Sequence, residues 1–496
     1  MTGTSHGARE EERTDHNVRT AAEQDRVVCV DLDGTLVATD LLWESVLSIL
    51  RERPWLAAAL PFWLLEGKAR FKQRIAAEAS LDVANLPWRA DVLQYLHAEH
   101  AAGRRLILAT AADESIARRV AEHLGIFSAV LASDGRTNLA GAAKHRAIEE
   151  TLAGAPFCYI GDHAIDLPLW QRAAGVMLVA PSARLLNMVR ATVPVERVLA
   201  PMPRSRTWTL LRALRVHQWV KNILVIVPVL LDHRIADVEL VAKAYLAFFA
   251  FSFAASGGYV LNDILDVDAD RRHATKRHRP FATGALSLRQ GVAMVPLLFG
   301  VALAISLAAL PLSFLFLLLT YVVLTSAYSL HLKRIPVLDV ILLAGLYTLR
   351  LLAGIAATEV RFSTWLLAFS MFLFLSLAFM KRFSELFRAG RPAHESLERR
   401  GYIGADLDWL RSMGGASGYL AVLVMALYIS SDEVTILYRQ PYILWLICPL
   451  LLLWISRMWF QTHRGHLHED PIVATVKDPA SYVIGALVVA AMVAAL

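Results

Sequence analysis

At 496 residues, 56% hydrophobic and 19% charged, with a mean hydropathy of +0.45, the chain is more apolar than a soluble domain, where charged residues are about 25%. That excludes collagen-like, disordered and disulfide-stapled proteins, and the length predicts roughly two or three domains. The net charge of +6 points to a membrane surface and not to nucleic acid, because the basic residues cluster beside hydrophobic spans and form no tail interleaved with aromatics.

Residues 1–24 are polar and hold no basic n-region followed by an apolar h-region, so a disordered tail is expected and a signal peptide is not. From Val27 the pattern turns to short apolar runs, RVVCVDL, RRLILAT, AVLAS and APFCYIGD, alternating with helical stretches. Runs of this kind predict buried parallel strands in an α/β domain over 25–199. A helical insertion rich in Leu, Ala and Trp lies between about Leu41 and Pro87. The basic, proline-containing APMPRSR predicts a linker over 200–210. The three cysteines, Cys29, Cys158 and Cys448, are far apart inside apolar runs and suit a reducing compartment.

The remainder, 211–496, reads as an all-α polytopic membrane domain. Apolar stretches of roughly 17–25 residues are long enough to cross a bilayer, and about nine are predicted: 218–232, 240–261, 291–309, 311–327, 337–357, 362–380, 416–431, 441–459 and 480–496. RSRTWTLLRALR, DRRHATKRHRP, LKR and KRFSELFRAGRPAHESLERR lie on one side of this pattern, while the alternate loops hold only Arg234, Arg361 and Arg439. The positive-inside rule puts the first group, with the α/β domain, in the cytoplasm and, with nine spans, the C-terminus outside.

The sharpest motif is DLDGTL, in which Asp31 and Asp33 leave a strand on the same side. At the carboxyl end of a parallel strand they face the crevice where α/β folds bind ligands. One carboxylate can attack phosphorus while the other protonates the leaving oxygen, and a divalent cation offsets the substrate's charge. Thr110 ends the run LILAT, where a hydroxyl can hold a phosphate oxygen. Lys144 opens a helical stretch, and GDHAID places Asp162 and Asp166 after the strand FCYI as metal ligands. Any one of these reads equally well as a turn or a solvated side chain; four in the order one chemistry needs outweigh that reading.

This set resembles the haloacid dehalogenase (HAD) superfamily over about 26–190, with the helical insertion at the position of that family's first cap. The resemblance implies a Rossmannoid parallel sheet, Asp31 as nucleophile, Asp33 as general acid and base, and one Mg²⁺ held by Asp31, Asp33 and Asp162, with Asp166 nearby.

A second motif is SGGYVLNDILDVDADRRHATKRHRP. Asn262, Asp263, Asp266 and Asp270 are spaced to share one helical face. Several acids at the end of a membrane span are costly unless they meet cations, and Mg²⁺ bridging a diphosphate satisfies them. Lys276, Arg277 and Arg279 follow closely enough to hold phosphate directly.

The stretch resembles the first aspartate motif of the UbiA superfamily of intramembrane prenyltransferases, which implies one or more Mg²⁺ here, with Asp263 and Asp266 catalytic and Asp270 a further ligand. In place of that family's second aspartate motif stands YSLHLKRIPVLD, with Tyr328, Lys333, Arg334 and only Asp339, a poor metal cage but a suitable phosphate site. RVHQWVKN, with Lys221 and Asn222, and FMKRFSEL, with Lys381, Arg382 and Glu385, resemble the decaprenyl-phosphate phosphoribosyltransferase branch, as does HEDPIVATVKD. That branch implies phosphoribosyl diphosphate (PRPP) and a polyprenyl phosphate as substrates and a bilayer as partner. The expectation is therefore a bifunctional enzyme of cell-wall type at a bacterial inner membrane. It transfers 5-phosphoribose to the lipid, and the attached phosphatase then removes the 5-phosphate. Two other readings stand beside it, an aromatic-acceptor prenyltransferase and a transferase with a non-catalytic HAD docking module. Homo-oligomerisation is left open.

Overall fold

The computed structural model describes residues 26–199, 205–390, 401–432, 434, 438–467 and 470–496. The predicted tail, the first half of the predicted linker and part of the KRFSELFRAGRPAHESLERR loop lie outside them. The chain divides into two compact units, residues 1–210 with 263–291, and residues 211–262 with 292–496. Segment 263–291, with most of the second acidic motif, thus folds with the first unit.

In that unit six strands form one sheet in the order β3-β2-β1-β4-β5-β6. They are β1 Val27–Val30, β2 Leu106–Asp113, β3 Ala129–Ser133, β4 Phe157–Gly161, β5 Gly175–Val179 and β6 Arg197–Leu199, and every neighbouring pair is parallel. β1 and β4 are buried throughout, as the unbroken runs VVCV and FCYIG require of strands covered on both faces. β5 and β6 had no counterpart in the sequence reading. Apolar clusters around Val28, Leu36 and Leu108 on one face, and Cys29, Tyr159 and Trp170 on the other, hold the helices against the sheet. The three cysteines are free and buried.

The insertion after β1 is helical, as its composition predicts: Leu41–Glu52, Leu60–Leu65 and Lys68–Glu78, with a 3₁₀ turn at Pro54–Ala58. Asp40 caps the first helix by accepting from the amides of Leu42 and Trp43. This cap packs on segment 263–291 through ion pairs. Arg271 reaches Glu44 at 2.6 Å with both side chains buried, Arg51 reaches Asp268 at 2.6 Å, and Arg272 reaches Asp82 at 3.0 Å. Thr39 donates to Glu44 at 2.7 Å, satisfying that carboxylate further.

The second unit is helical. Among the described residues seven helices are long and apolar enough to cross a membrane: Val238–Leu265, Leu288–Ala309, Leu312–Leu330, Leu338–Thr358, Thr364–Ala389, Gly404–Ile429 and Pro441–His463. The pair Pro471–Lys477 and Pro479–Ala495, bent by 86°, makes eight if it is one span. The count roughly matches the nine expected, and the departure falls on the first of them. The first, 218–232, is a 3₁₀ segment Val216–Val225 followed by the five-residue helix Val227–Leu231. Pro228 opens that short helix, and a proline lacks the N–H that would continue one helix through both pieces.

Without a hydrophobic drive between helices in lipid, close packing depends on small residues. Gly354 is such a contact, since a Cβ there would lie 2.1 Å from the Val225 carbonyl oxygen, whereas one at Gly345 meets nothing within 4 Å. Gly354→Ala is expected to lower the thermal unfolding midpoint of the detergent-solubilised chain, with overpacking costs of about 1–3 kcal/mol. Gly345→Ala is the control and leaves the midpoint unchanged. Equal midpoints for the two variants would show the contact to be slack.

Candidate active sites

In the first unit the acids and the lysine predicted for the crevice converge at the carboxyl ends of β1 and β4. Asp31 follows β1, its amide donating to Ile160 O at 3.0 Å, and its Oδ1 accepts from the Leu32 amide at 2.8 Å. Lys144, near the start of the Ala142–Leu152 helix, brings its buried Nζ to 3.1 Å from that same oxygen. It also donates to Tyr159 Oη at 2.9 Å and to Asp166 at 3.5 Å. Burial pushes the Lys144 ammonium down, but Asp31 and Asp166 more than offset this and leave it above its ordinary value. The lysine is a fixed cation.

Asp33 accepts from the Leu41 amide at 2.8 Å, which ties it to the first cap helix. Burial, then the charge of Asp40, push its carboxyl up to about 8, with Asp31 adding a smaller push. Asp162 accepts from Thr35 at 3.1 Å, and burial with the Asp31 charge pushes it up to about 6. Gly34 sits at φ +76°, and a Cβ there would lie 2.1 Å from Asp162 Oδ2. Glycine permits this turn directly after the acid pair and the close approach of Asp162.

Two expected residues are placed differently. Thr110 does not end its strand: β2 runs on to Asp113, and the buried Thr110 Oγ1 accepts from the Ala112 amide at 3.0 Å. Asp113 instead caps the following helix by accepting from Ser115. Asp166 belongs to the 3₁₀ turn Ala164–Asp166 and faces Lys144, so it orients the lysine. Sequence reading missed Lys72, which reaches from the cap to donate to Ala111 O at 2.6 Å and Asn138 at 2.8 Å. Burial pulls its ammonium down, partly offset by Asp33 and Asp40. No spacing in the sequence relates this cap lysine to the strand ends.

The second acidic motif is not one unbroken helix. The Val238–Leu265 helix carries Asn262 and Asp263 and stops before Asp266, whose φ of −97° and ψ of 11° break it, and Val267–Arg272 resumes with Asp270. Arg279 still joins the acids across the break, at 3.1 Å from Asp263 and 2.6 Å from Asp270. Its guanidinium is the cation that these two buried carboxylates require. Lys276 and Arg277 lie on the exposed turn Lys276–His278.

Among the described residues no three His, Cys, Asp or Glu side chains form a ready metal cage. Both acid sets nonetheless suit Mg²⁺, which takes one or two carboxylates and completes its octahedron with water and phosphate oxygens. The raised carboxyls of Asp33 and Asp162 mark carboxylates short of positive charge, and Asp263 and Asp270 both reach Arg279.

In the second unit a cavity of about 410 Å³ is lined by Arg215, Lys221, Arg350, Lys381 and Arg388 against two acids, Glu385 and Asp470. Its hydroxyls include Tyr259, Tyr321, Tyr328, Tyr347, Thr325 and Ser329. Asp470 accepts from Lys221 at 2.8 Å and Lys381 at 3.0 Å, and Tyr347 donates to it. Asn262 lines the same cavity and donates to Ser329 at 3.1 Å. Thr325 Oγ1 is buried with no hydrogen-bond partner, a polar atom that a bound ligand would satisfy.

Lys221, Asn262, Tyr328, Lys381 and Glu385 of the sequence reading thus come together here. Asn222 does not line the cavity: it is buried between Ser252 and Arg350 and orients that arginine. Asp339 and Arg382 are fully buried partners, with Tyr328 and Glu385 on the same guanidinium and Tyr402 donating to Asp339 at 2.6 Å. They brace the wall instead of contacting solvent. Lys333 and Arg334 sit on a 3₁₀ turn and are not among the lining residues. Arg215, Tyr259, Thr325, Arg350 and Asp470 complete the cavity from separate elements; Arg215, Tyr259 and Asp470 fell within motifs noticed in the sequence, and Thr325 and Arg350 did not. A second cavity of about 630 Å³ in this unit is mostly apolar, lined by Leu224, Val227, Leu351, Phe374, Leu451 and Trp454 among others. Phe374 packs on Tyr347 of the polar cavity, with ring centroids 5.2 Å apart.

The raised Asp33 carboxyl gives a pH prediction. The folded state holds its proton up to about 8 and the unfolded chain only to about 3.8. Between these values the folded state binds more protons, so stability falls as pH rises. Asp33→Asn removes this loss. In chelator-treated, magnesium-free buffer its gain in unfolding temperature should be near zero at pH 4 and grow through pH 8. A gain that does not vary with pH would contradict it.

Residues 28–171 match the family model described as haloacid dehalogenase-like hydrolase, and residues 230–474 match the UbiA prenyltransferase family. The uncharacterized protein y4nM of Sinorhizobium fredii is 36% identical over 476 residues, covering 95% of this chain and 91% of that one. Nodulation protein NoeC of Azorhizobium caulinodans is 38% identical over 55% of this chain and 89% of its own length. A decaprenyl-phosphate phosphoribosyltransferase of Mycobacterium tuberculosis is 34% identical over 41% of this chain and 69% of its own. With its apolar helices, this chain belongs to the UbiA prenyltransferase family as a multi-pass membrane protein that carries an HAD-like domain ahead of its membrane helices.

Proposed function

We propose that the membrane unit transfers 5-phosphoribose from PRPP to a polyprenyl phosphate, and that the HAD-like domain then removes the 5-phosphate, both at the cytoplasmic face of an inner membrane. The observation that carries the first step is the cationic cavity, whose five basic side chains against two acids suit a substrate with several phosphates. A prenyl diphosphate with an aromatic acceptor needs fewer. The name of the Mycobacterium tuberculosis relative favours the same reaction, and the mostly apolar cavity offers space to a lipid tail.

Asp263, Asp266 and Asp270 would hold Mg²⁺, which neutralises the pyrophosphate when bound. The lipid phosphate oxygen attacks C1 of the ribose as the C1–O bond to pyrophosphate breaks, through an oxocarbenium-like state. Lys221, Lys381 and Arg350 stabilise the anions, held in place by Asp470 and Asn222 so that little reorganisation accompanies the reaction.

In the HAD-like domain Oδ1 of Asp31 is engaged by Leu32 and Lys144, so Oδ2 attacks phosphorus and forms an aspartyl phosphate. Asp33 acts as the general acid and gives a proton to the departing sugar oxygen. As a carboxylate it then takes a proton from the water that hydrolyses the intermediate. Lys144 stabilises the transferring phosphoryl group, and Asp31, Asp33 and Asp162 are the residues for that domain's Mg²⁺.

The test is incubation of the purified chain with PRPP, Mg²⁺ and decaprenyl phosphate, with the lipids resolved by mass spectrometry. Wild type should give a polyprenyl phosphoribose, and Asp31→Asn the same lipid retaining its 5-phosphate. Asp263→Ala with Asp266→Ala should lower transfer at least a hundredfold. A 5-phosphate retained by wild type would overturn the second step. Turnover with a prenyl diphosphate and an aromatic acid, but none with PRPP, would overturn the first.

A further inference from the structure

The cap of the HAD-like domain carries an uncharged stretch, PWLAAALPFWLL, over 54–65. It folds as the turn Pro54–Ala58 and the helix Leu60–Leu65, neither of which contributes a buried residue. Trp55 and Phe62 are each 69% exposed, Leu64 is 53% and Leu65 is 85% exposed. Among the described residues 26–199 the other exposed large apolar side chains are Ile165 and Met188, standing singly. Contiguous exposure of this kind marks an interaction surface.

Its position says what covers it. Arg51, three residues before Pro54, pairs at 2.6 Å with Asp268. Asp268 lies three residues beyond Leu265, where the membrane-crossing Val238–Leu265 helix ends. The apolar stretch is therefore tied by an ion pair to the segment that follows a membrane span directly in the chain. At twelve residues, 54–65 is too short to cross a bilayer, for which roughly 17–25 are needed. Its two tryptophans, and the exposed Lys68 and Arg70 that follow, are the composition of a segment lying in the interface beside anionic lipid.

We propose that residues 54–65 are an interfacial membrane anchor of the cap, with Trp55, Phe62 and Leu65 seated at the boundary between headgroups and acyl chains. This surface holds the cap, and Lys72 with it, against the membrane, so the phosphatase crevice is fixed at the surface where a lipid-linked substrate is presented. The anchor itself does not depend on which substrate is used.

Phe62→Cys and Leu65→Cys in the full-length chain test it, with Glu122→Cys on the exposed face of the Glu114–Leu124 helix as control. The native cysteines are buried, so an environment-sensitive fluorophore reports the introduced site. In vesicles of phosphatidylcholine and phosphatidylglycerol, labels at 62 and 65 should be quenched by shallow doxyl-labelled lipids. Their quenching constants with aqueous iodide should be at least threefold below that of the label at 122. Iodide quenching equal to the control, without lipid quenching, would overturn the proposal. Protection from both quenchers would also overturn it, since protein and not lipid would then cover the patch.

Discussion

A carboxylate withdrawn from water must meet a cation or hold its proton, and this requirement organises both candidate sites among the described residues. The idealised cost of moving one such ion into a low-dielectric interior is about 20 kcal/mol, and several kcal/mol remain after relaxation. Asp31 meets Lys144, Glu44 meets Arg271, Asp263 and Asp270 meet Arg279, Asp339 meets Arg382, and Asp470 meets Lys221 and Lys381. Where the match is incomplete, at Asp33 and Asp162, the carboxyl retains its proton to higher pH. Those places are also where a phosphate-bound cation would add charge.

Segment 263–291 shows how far this reaches. It follows a membrane helix and bears the acids expected of a UbiA enzyme, yet it folds with the α/β unit. Among the described residues Glu44 is satisfied through Thr39 and Arg271, so cap and segment cannot separate without leaving a buried charge. Removing one partner of such a pair typically costs about 3–5 kcal/mol. The HAD-like domain is thus a structural support for the acids of the second motif as well as a hydrolase-like fold, a physical reason for the two to share a chain.

Much of this was legible in order. Unbroken apolar runs identified β1 to β4, because a strand covered on both faces has no polar face to alternate with. DLDGTL and GDHAID located Asp31, Asp33 and Asp162, because chemistry at a strand end needs acids directly after the strand. The spans from 238 onward followed from length and hydropathy alone. The misjudged elements were local competitions. Residues 218–232 have the hydropathy of a span, but Pro228 divides them. The aspartates from 263 to 270 have helical spacing, but the helix stops before Asp266.

The amino-acid order by itself determined which segments are buried in lipid, which form a parallel sheet, and which acids stand at strand and helix ends. These follow from periodicity and desolvation over short windows. Only the tertiary structure decided which cation each acid meets. It brought Lys72 and Lys144 to one crevice, assembled Arg215, Arg350 and Asp470 around one cavity, and buried Asp339 against Arg382. Such pairings join residues tens to hundreds of positions apart, and no local pattern encodes a contact that exists only once distant helices have packed.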